Sequence, residues 1–233
     1  MANIKIFSDG ANLVEMVRAR DSGTIQSFTT NPTLMRKAGV TDFEAFARSV
    51  LAEIKDCRVC FEVIADGFAD MERQARQIAS WGDNFYVKIP VTNSKGESAG
   101  GLISRLGGDG IKLNVTAVLS LDQVRAVGAA LAPDVAAIVS VFAGRIADTG
   151  LDPVPLMKEA LEILKARPRA ELLWASPREV LNLYQAQECG CHIITVTPAL
   201  LEKKELQGMD LGALSLNTVR MFLGDAQAAG CRL

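Results

Sequence analysis

Short runs rich in β-branched and apolar residues alternate with longer segments of helical period along the whole chain, and no Pro/Gly/Ser-rich linker separates them. The strand-like runs are IKIFSD (4–9), IQSFTT (25–30), CRVCFEVI (57–64), FYVKIPV (85–91), IKLNVTA (111–117), AIVSVF (137–142), ELLWA (171–175) and HIITVT (192–197). Between them, Thr41-Asp42-Phe43-Glu44, Ser120-Leu121-Asp122-Gln123 and Ser176-Pro177-Arg178-Glu179 read as capping boxes that start helices, the last with proline at the first helical position. Eight β/α repeats in 233 residues predict a closed parallel barrel with helices outside, a (β/α)8 TIM barrel of the α/β class, as one domain over 1–233. An open doubly wound sheet is the competing architecture. It normally carries a glycine fingerprint after its first strand, whereas this strand ends in Ser8-Asp9-Gly10-Ala11-Asn12. Residues 209–233, with Leu211, Leu214, Phe222 and Leu223, read as an extra C-terminal helix that packs across the barrel or onto another subunit.

Alternate strand residues of a barrel face its interior, and catalytic groups gather at the carboxyl ends of the strands. In the fifth run Ile111, Leu113 and Val115 share one face, while Lys112, Asn114 and Thr116 take the other. In the fourth, Lys88 lies with Tyr86 and Pro90, opposite Val87, Ile89 and Val91. Glu62 falls opposite Val59, Phe61 and Val63, and Ser140 lies with Ile138 and Phe142, away from Val139 and Val141. Four adjacent strands thus each send a polar residue inward. Asp9 at the end of the first strand and Thr30-Asn31 at the end of the second extend the ring.

Composition narrows the chemistry. With 25 basic and 27 acidic residues the formal charge is −2, so no basic field exists to hold nucleic acid or an anionic membrane. Charges break the apolar runs before a membrane span, and the opening MANIKIFSDG lacks the layout of a signal peptide, which predicts a cytoplasmic protein. One histidine, His192, rules out a two-histidine zinc site; it falls at the start of the eighth strand and receives no catalytic role. Five cysteines make an odd set. A zinc site from Cys57, Cys60, Cys189 and Cys191 is weighed against small buried hydrophobes, and the second reading is preferred because strand positions three apart point to opposite faces. No metal and no cofactor are therefore expected. The cluster Gly107-Gly108-Asp109-Gly110 leads into a strand rather than following one, which suits a helix C-cap and turn instead of a phosphate loop.

Chemistry then rests on carboxylates and lysine. An inward lysine among apolar neighbours is costly to keep charged, and desolvation favours the neutral amine that attacks a carbonyl. Lys88 is the candidate nucleophile. The competing reading is a lysine whose stem packs while its charge reaches solvent. Glu62, Asn114, Thr116 and Asp9 on the same interior surface favour the nucleophile.

Lys88 in VKIPVT, the turn Thr29-Thr30-Asn31-Pro32-Thr33, Asn114-Val115-Thr116, the segment Ser140-Val141-Phe142-Ala143-Gly144-Arg145 and the opening Asp9 together resemble the transaldolase family, in particular its small single-barrel branch that includes fructose-6-phosphate aldolase. The likeness runs from about residue 4 to about residue 224. It implies an eight-stranded barrel and Schiff-base chemistry on a ketose phosphate without a metal: transfer of a dihydroxyacetone unit from fructose 6-phosphate or a similar donor to an aldose phosphate. Lys88 matches the imine-forming lysine, Asp9 the general base and acid at the carbon 4 hydroxyl, and Glu62 with Thr116 the pair that holds the water of carbinolamine chemistry. Asn31 in the Thr30-Asn31 turn, Asn114 and Ser140 match ligands of the dihydroxyacetone hydroxyls, and Arg145 matches a phosphate ligand. Phe142 and Glu62 favour transaldolase, because the aldolase branch resembles Tyr and Gln there.

The seventh strand departs from this pattern. Larger transaldolases resemble Ser-Phe-Arg with a second phosphate-binding arginine, while this chain reads Leu173-Trp174-Ala175-Ser176-Pro177-Arg178. Either phosphate affinity is lower, or Arg178 substitutes from a helix start. Trp174 is expected near the same mouth, with an effect on donor or acceptor choice. Plainer readings stand beside these: Asn31 as a turn starter, Ser140 as a local hydrogen-bonding group, Ser176 as a helix cap, and Arg145 paired with Asp148 or Asp152. Competing functions for such a barrel are an aldolase releasing free dihydroxyacetone, a transaldolase specialised for a biosynthetic sugar, and a protein that binds sugar phosphates without turnover. The resemblance also implies a homo-oligomer.

Overall fold

A computed structural model describes residues 4–232. Eight parallel strands close into a barrel in chain order: β1 (Lys5–Asp9), β2 (Ser27–Thr29), β3 (Arg58–Glu62), β4 (Phe85–Pro90), β5 (Leu113–Val118), β6 (Ala137–Val141), β7 (Ala170–Trp174) and β8 (Ile193–Val196), with β8 pairing back onto β1. The helices are α1 (Leu13–Asp21), α2 (Pro32–Lys37), α3 (Phe43–Glu53), α4 (Phe68–Ala79), α5 (Gly100–Gly108), α6 (Leu121–Ala130), α7 (Ala143–Asp148), α8 (Pro153–Leu164), α9 (Leu181–Glu188), α10 (Pro198–Glu202) and α11 (Leu211–Ala228). The closed parallel barrel predicted from the alternation is therefore present, with each predicted run supplying one strand.

Side-chain alternation divides the apolar residues into two bodies. Val59, Phe61, Val87, Ile89, Leu113, Val115, Val139, Val141 and Leu172 face outward and join the inner faces of the helices. Phe7, Cys60, Tyr86, Ile138, Leu173, Ala175 and Ile193 form a separate cluster inside the barrel, with Phe142 packed against it. Below that plug, Lys5 and Arg58 both pair with Glu171, and the Arg58 guanidinium lies 5.6 Å from the centre of the Tyr86 ring. The interior thus runs from a charged floor through an apolar middle to a polar top, as side-chain layers of a packed barrel require.

The strands that carry Glu62 and Lys88 are held from outside by aromatic contacts. Phe61 of β3 meets Phe85 of β4 edge-on at 5.3 Å, and Trp81 completes the group against both rings. Such pairs each contribute about 0.5–1.5 kcal/mol beyond their buried area, so the β3–β4 ladder is a rigid base.

The helix signals hold unevenly. Ser120 and Gln123 form a reciprocal capping box at α6. Asp42, rather than Thr41, caps α3 by accepting from the Ala45 amide. The segment Ser176–Glu179 starts no helix: α9 begins at Leu181, and Asn182 Oδ1 accepts from the Arg178 and Glu179 amides instead. Gly107–Gly110 ends α5, with Gly110 at φ +80°, where glycine avoids the Cβ clash of the left-handed region.

Cys57 lies in the outer core and Cys60 in the barrel interior, on opposite sides of the wall as their spacing predicts. Burial pushes the Cys60 thiol up to about 11. His192 accepts at Nδ1 from the Leu172 amide near the bottom of the barrel. Among the described residues no helix is long and apolar enough to cross a membrane. Helix α11 buries none of its residues, and Leu211, Leu216, Val219, Met221, Phe222 and Leu223 are exposed on it.

Candidate active site

A cleft of about 520 Å³ opens at the carboxyl ends of the strands. Asp9, Asn31, Glu62, Lys88, Asn114, Thr116, Ser140, Phe142, Arg145, Ser176 and Arg178, expected from the sequence, all line it. Its floor is the interior face that the strand alternation assigned to polar residues.

Lys88 is the one lysine among the residues lining the cleft, and it is 6% exposed. Its Nζ donates to the Thr30 carbonyl at 2.7 Å and stands 3.0 Å from Glu62 Oε2. Two acceptors therefore hold the buried amine, which removes most of the cost of burying it. This geometry excludes the reading in which the charge reaches out to solvent.

Asp9, at the end of β1, accepts from Thr29 Oγ1 at 2.8 Å and faces the Asn31 amide at 3.5 Å. Thr29 Oγ1 in turn lies 2.6 Å from Thr195 Oγ1. Burial raises the Asp9 carboxyl above its ordinary value of 3.8; the Lys88 charge and the Thr29 hydrogen bond oppose this, and the Glu62 charge adds to it. Asn31 also caps α2 by accepting from the Leu34 amide at 3.0 Å. The plainer reading of Asn31 as a turn residue holds for its oxygen, while its amide nitrogen faces the site.

On the opposite wall Ser140 Oγ donates to Asn114 Oδ1 at 2.7 Å. Asn114 is fully buried, and its Nδ2 has no partner among the described residues. An unpaired buried amide costs about 1–3 kcal/mol. Beside it, the β5–β6 register shifts between Val115 and Val118, and Ala117 sits at φ +59° in the cleft lining. A non-glycine residue there is strained, and such strain gathers at working sites.

Both arginines reach the rim. Arg145 is exposed, with its guanidinium 5.5 Å from the centre of the Phe142 ring. It makes no ion pair with Asp148 or Asp152 among the described residues: Asp148 binds Arg178 through both carboxylate oxygens, and Asp152 caps α8. The Arg178 hydrogen bond holds the Asp148 carboxyl below the usual range. Arg178 thus brings a second guanidinium to the cleft despite the altered seventh-strand motif. Ser176 lies at φ +62°, and a Cβ built on Gly144 would come within 1.6 Å of its carbonyl oxygen. Only glycine lets the β6–α7 and β7–α9 turns approach this closely.

Two expected residues do not reach the cleft with their side chains. Trp174 is fully buried and packs in the outer core, because it shares the outward face of β7 with Leu172. The Thr30 hydroxyl donates to the Cys60 carbonyl, so Thr30 contributes its own carbonyl to Lys88 instead of a side chain. Conversely, Thr29, Thr33, Thr195 and Thr197 line the cleft although the sequence reading assigns them no part in the site. The inward parity of Thr29 and Thr195 is the signal that identifies them.

Comparison with known proteins agrees with the geometry. A similar curated protein from Dehalococcoides mccartyi (strain 195), described as a probable transaldolase, is 36% identical over 194 residues, covering 83% of this chain and 86% of that protein. Another, from Roseiflexus castenholzii with the same description, is 34% identical and covers 97% of this chain and 98% of its own length. Among solved structures, 2,3-dimethylmalate lyase, a PEP mutase/isocitrate lyase superfamily member, aligns over 98% of this chain and 84% of that chain with a TM-score of 0.57 at 16% identity, a likeness of fold alone. The family model for transaldolase/fructose-6-phosphate aldolase matches residues 6–230, and the chain belongs to that family.

Proposed function

We propose that the protein is a transaldolase that moves a dihydroxyacetone unit from a ketose phosphate such as fructose 6-phosphate to an aldose phosphate through an imine on Lys88. The observation that carries this reading is the buried Lys88 amine at the floor of the cleft, 3.0 Å from Glu62 Oε2, with Asp9 in the same lining. A module that only binds sugar has no need of a buried amine beside two carboxylates.

In this mechanism Lys88 Nζ adds to carbon 2 of the donor, and the carbinolamine loses water, with Glu62 and Thr116 holding the water that leaves and later returns. Asp9 takes the proton of the carbon 4 hydroxyl as the bond between carbons 3 and 4 breaks. The bonding electrons move to the protonated imine, giving an enamine, and the aldehyde product departs. The enamine then attacks an acceptor aldehyde, Asp9 returns the proton to the new alkoxide, and water releases the product from Lys88. The Asn114 amide, Ser140 and Asn31 hold the dihydroxyacetone hydroxyls, and Arg145 with Arg178 holds the phosphate. The exposed apolar residues of α11 support a homo-oligomer, since a patch of this kind on a protein surface marks an interaction site.

The test is borohydride reduction with fructose 6-phosphate followed by peptide mass analysis. A three-carbon adduct on Lys88 is expected, and its absence across plausible donors overturns the Schiff base. Product formed only with erythrose 4-phosphate present identifies transfer; release of free dihydroxyacetone identifies the aldolase instead.

A further inference from the structure

We infer that Thr195 is a positioning residue for catalysis, a hydroxyl that acts on Asp9 through Thr29 and strengthens the hydrogen bond that Asp9 receives. The inference rests on the reading of Asp9 as the acid and base of the reaction.

Thr195 lies on β8, opposite Phe7 of β1 in the ladder, and Thr29 is paired with Asp9 on the other side of β1. Both threonines point into the barrel, so their hydroxyls meet beneath the end of β1. Thr29 Oγ1 lies 2.8 Å from Asp9 Oδ1 and 2.6 Å from Thr195 Oγ1. A hydroxyl owns one hydrogen. While Asp9 is ionised it only accepts, so the Thr29 hydrogen points to Asp9, and the short contact to Thr195 requires Thr195 to donate to Thr29. The order Thr195 to Thr29 to Asp9 is therefore fixed by counting hydrogens.

Such a chain is cooperative: a donor to the Thr29 oxygen polarises its O–H and strengthens the bond to the carboxylate. Thr195 is 7% exposed and Thr29 3% exposed, so bulk water competes little for either hydroxyl. The charged groups facing Asp9 from the rest of the barrel are Lys88 on β4 and Glu62 on β3, of opposite sign. Asn31 adds an amide at 3.5 Å. The threonine chain is thus the closest neutral support of the ionised form, and that form is the one that must accept the carbon 4 proton.

The experiment compares wild type with Thr195→Val, which keeps the shape and removes the hydroxyl, and Thr195→Ser, which restores it. Activity with fructose 6-phosphate and erythrose 4-phosphate is followed against pH. In Thr195→Val the acid limb of kcat/KM is expected to move up by about half a pH unit, since loss of support for the carboxylate raises its pKa. The value of kcat falls about tenfold while KM changes less. The Lys88 adduct still forms on borohydride reduction, and Thr195→Ser returns the limb to its wild-type position. An unmoved limb, or a shift that serine does not reverse, overturns the inference. Should Thr195→Val fail to fold, Thr195→Ala gives the same reading of the limb. Asp9→Asn separates the two levels: if that variant stays active, the assignment of Asp9 falls, whereas an inactive Asp9→Asn with an unmoved Thr195→Val limb removes Thr195 alone.

Discussion

Glu62 and Lys88 are direct partners across the β3–β4 ladder, and the carboxylate Oε2 stands 3.0 Å from the lysine Nζ. Register therefore sets this contact, because a slip of either strand by one residue would turn its side chain out into the helix layer and part the pair. The pair is buried on the lysine side and partly open on the glutamate side. Glu62→Ala is expected to cost about 1.5–3 kcal/mol, the worth of a hydrogen bond to a charged group, because Lys88 keeps only the Thr30 carbonyl. Urea unfolding measures this. Glu62→Gln keeps the shape and a hydrogen bond to the bound water but removes the charge, and kcat should fall about tenfold, the difference of about 1.4 kcal/mol between a charge-assisted and a neutral hydrogen bond.

Asp9 pays for its role in stability. Its carboxyl is shifted above 3.8, so burial and the Glu62 charge together outweigh Lys88 and Thr29. For an acid raised in this way, the ionised form is penalised in the folded state at neutral pH, and the penalty disappears as pH falls through the raised value. Asp9→Asn should therefore raise Tm at pH 7, with the gain vanishing in acid, while turnover is lost. The same shift places the acid limb of wild-type kcat/KM above the ordinary aspartate value, because Asp9 must be ionised to accept a proton. A Tm that falls at pH 7, or an acid limb at or below that value, contradicts the assignment.

The alternation of the sequence carried the barrel and much of the cleft, since period two alone separates Glu62, Lys88, Asn114 and Ser140 from their apolar neighbours. The same rule applied to β7 puts Trp174 outside with Leu172 and Ala175 inside, where the structure has them. Ser176 and Arg178 were legible only in part. The left-handed turn at Ser176 depends on Gly144 from a different repeat, and Arg178 is oriented by Asp148, 30 residues away. Contacts of this range leave no local signature in composition or period. The threonine chain was hidden for a related reason: parity turns Thr29 and Thr195 inward, but their contact joins positions 166 residues apart.

The Gly144–Ser176 approach predicts opposite effects from two small substitutions. Gly144→Ala places a Cβ 1.6 Å from the Ser176 carbonyl oxygen, a backbone atom, so one of the two turns must move. A loss of about 1–3 kcal/mol or more is expected, together with a higher KM for phosphorylated donors because Arg145 follows Gly144 directly. Ser176→Gly should raise stability by up to about 1 kcal/mol: the left-handed region costs a side-chain-bearing residue about 1–2 kcal/mol, and the extra freedom of unfolded glycine returns about 0.5–1 of it. Thermal unfolding and donor KM measure both.

Asp148 and Arg178 are each about half exposed, at 51% and 49%, so solvent screens their ion pair and it should add little to stability. Its effect belongs to binding. Arg178→Ala is expected to leave Tm almost unchanged and to raise KM for fructose 6-phosphate by about tenfold, one charge-assisted contact, without changing KM for unphosphorylated fructose. Equal changes for the two donors would remove Arg178 from the phosphate site.

Leu216, Val219 and Leu223 recur at spacings of three and four on α11, and Phe222 lies beside them, so these four residues form an exposed apolar stripe along one side of the helix. In water such a stripe favours association by about 25 cal/mol for each square ångström it covers. If it binds a second copy, the chain should sediment well above its own mass of 25.0 kDa, and Phe222→Asp should shift it toward that mass while the helical circular-dichroism signal persists. Activity is expected to survive the change, because the cleft residues come from the barrel strands, their carboxyl-end turns and the first turns of α2 and α7, and none from α11. A wild-type protein that sediments as a single 25.0 kDa species would rule out self-association through this helix.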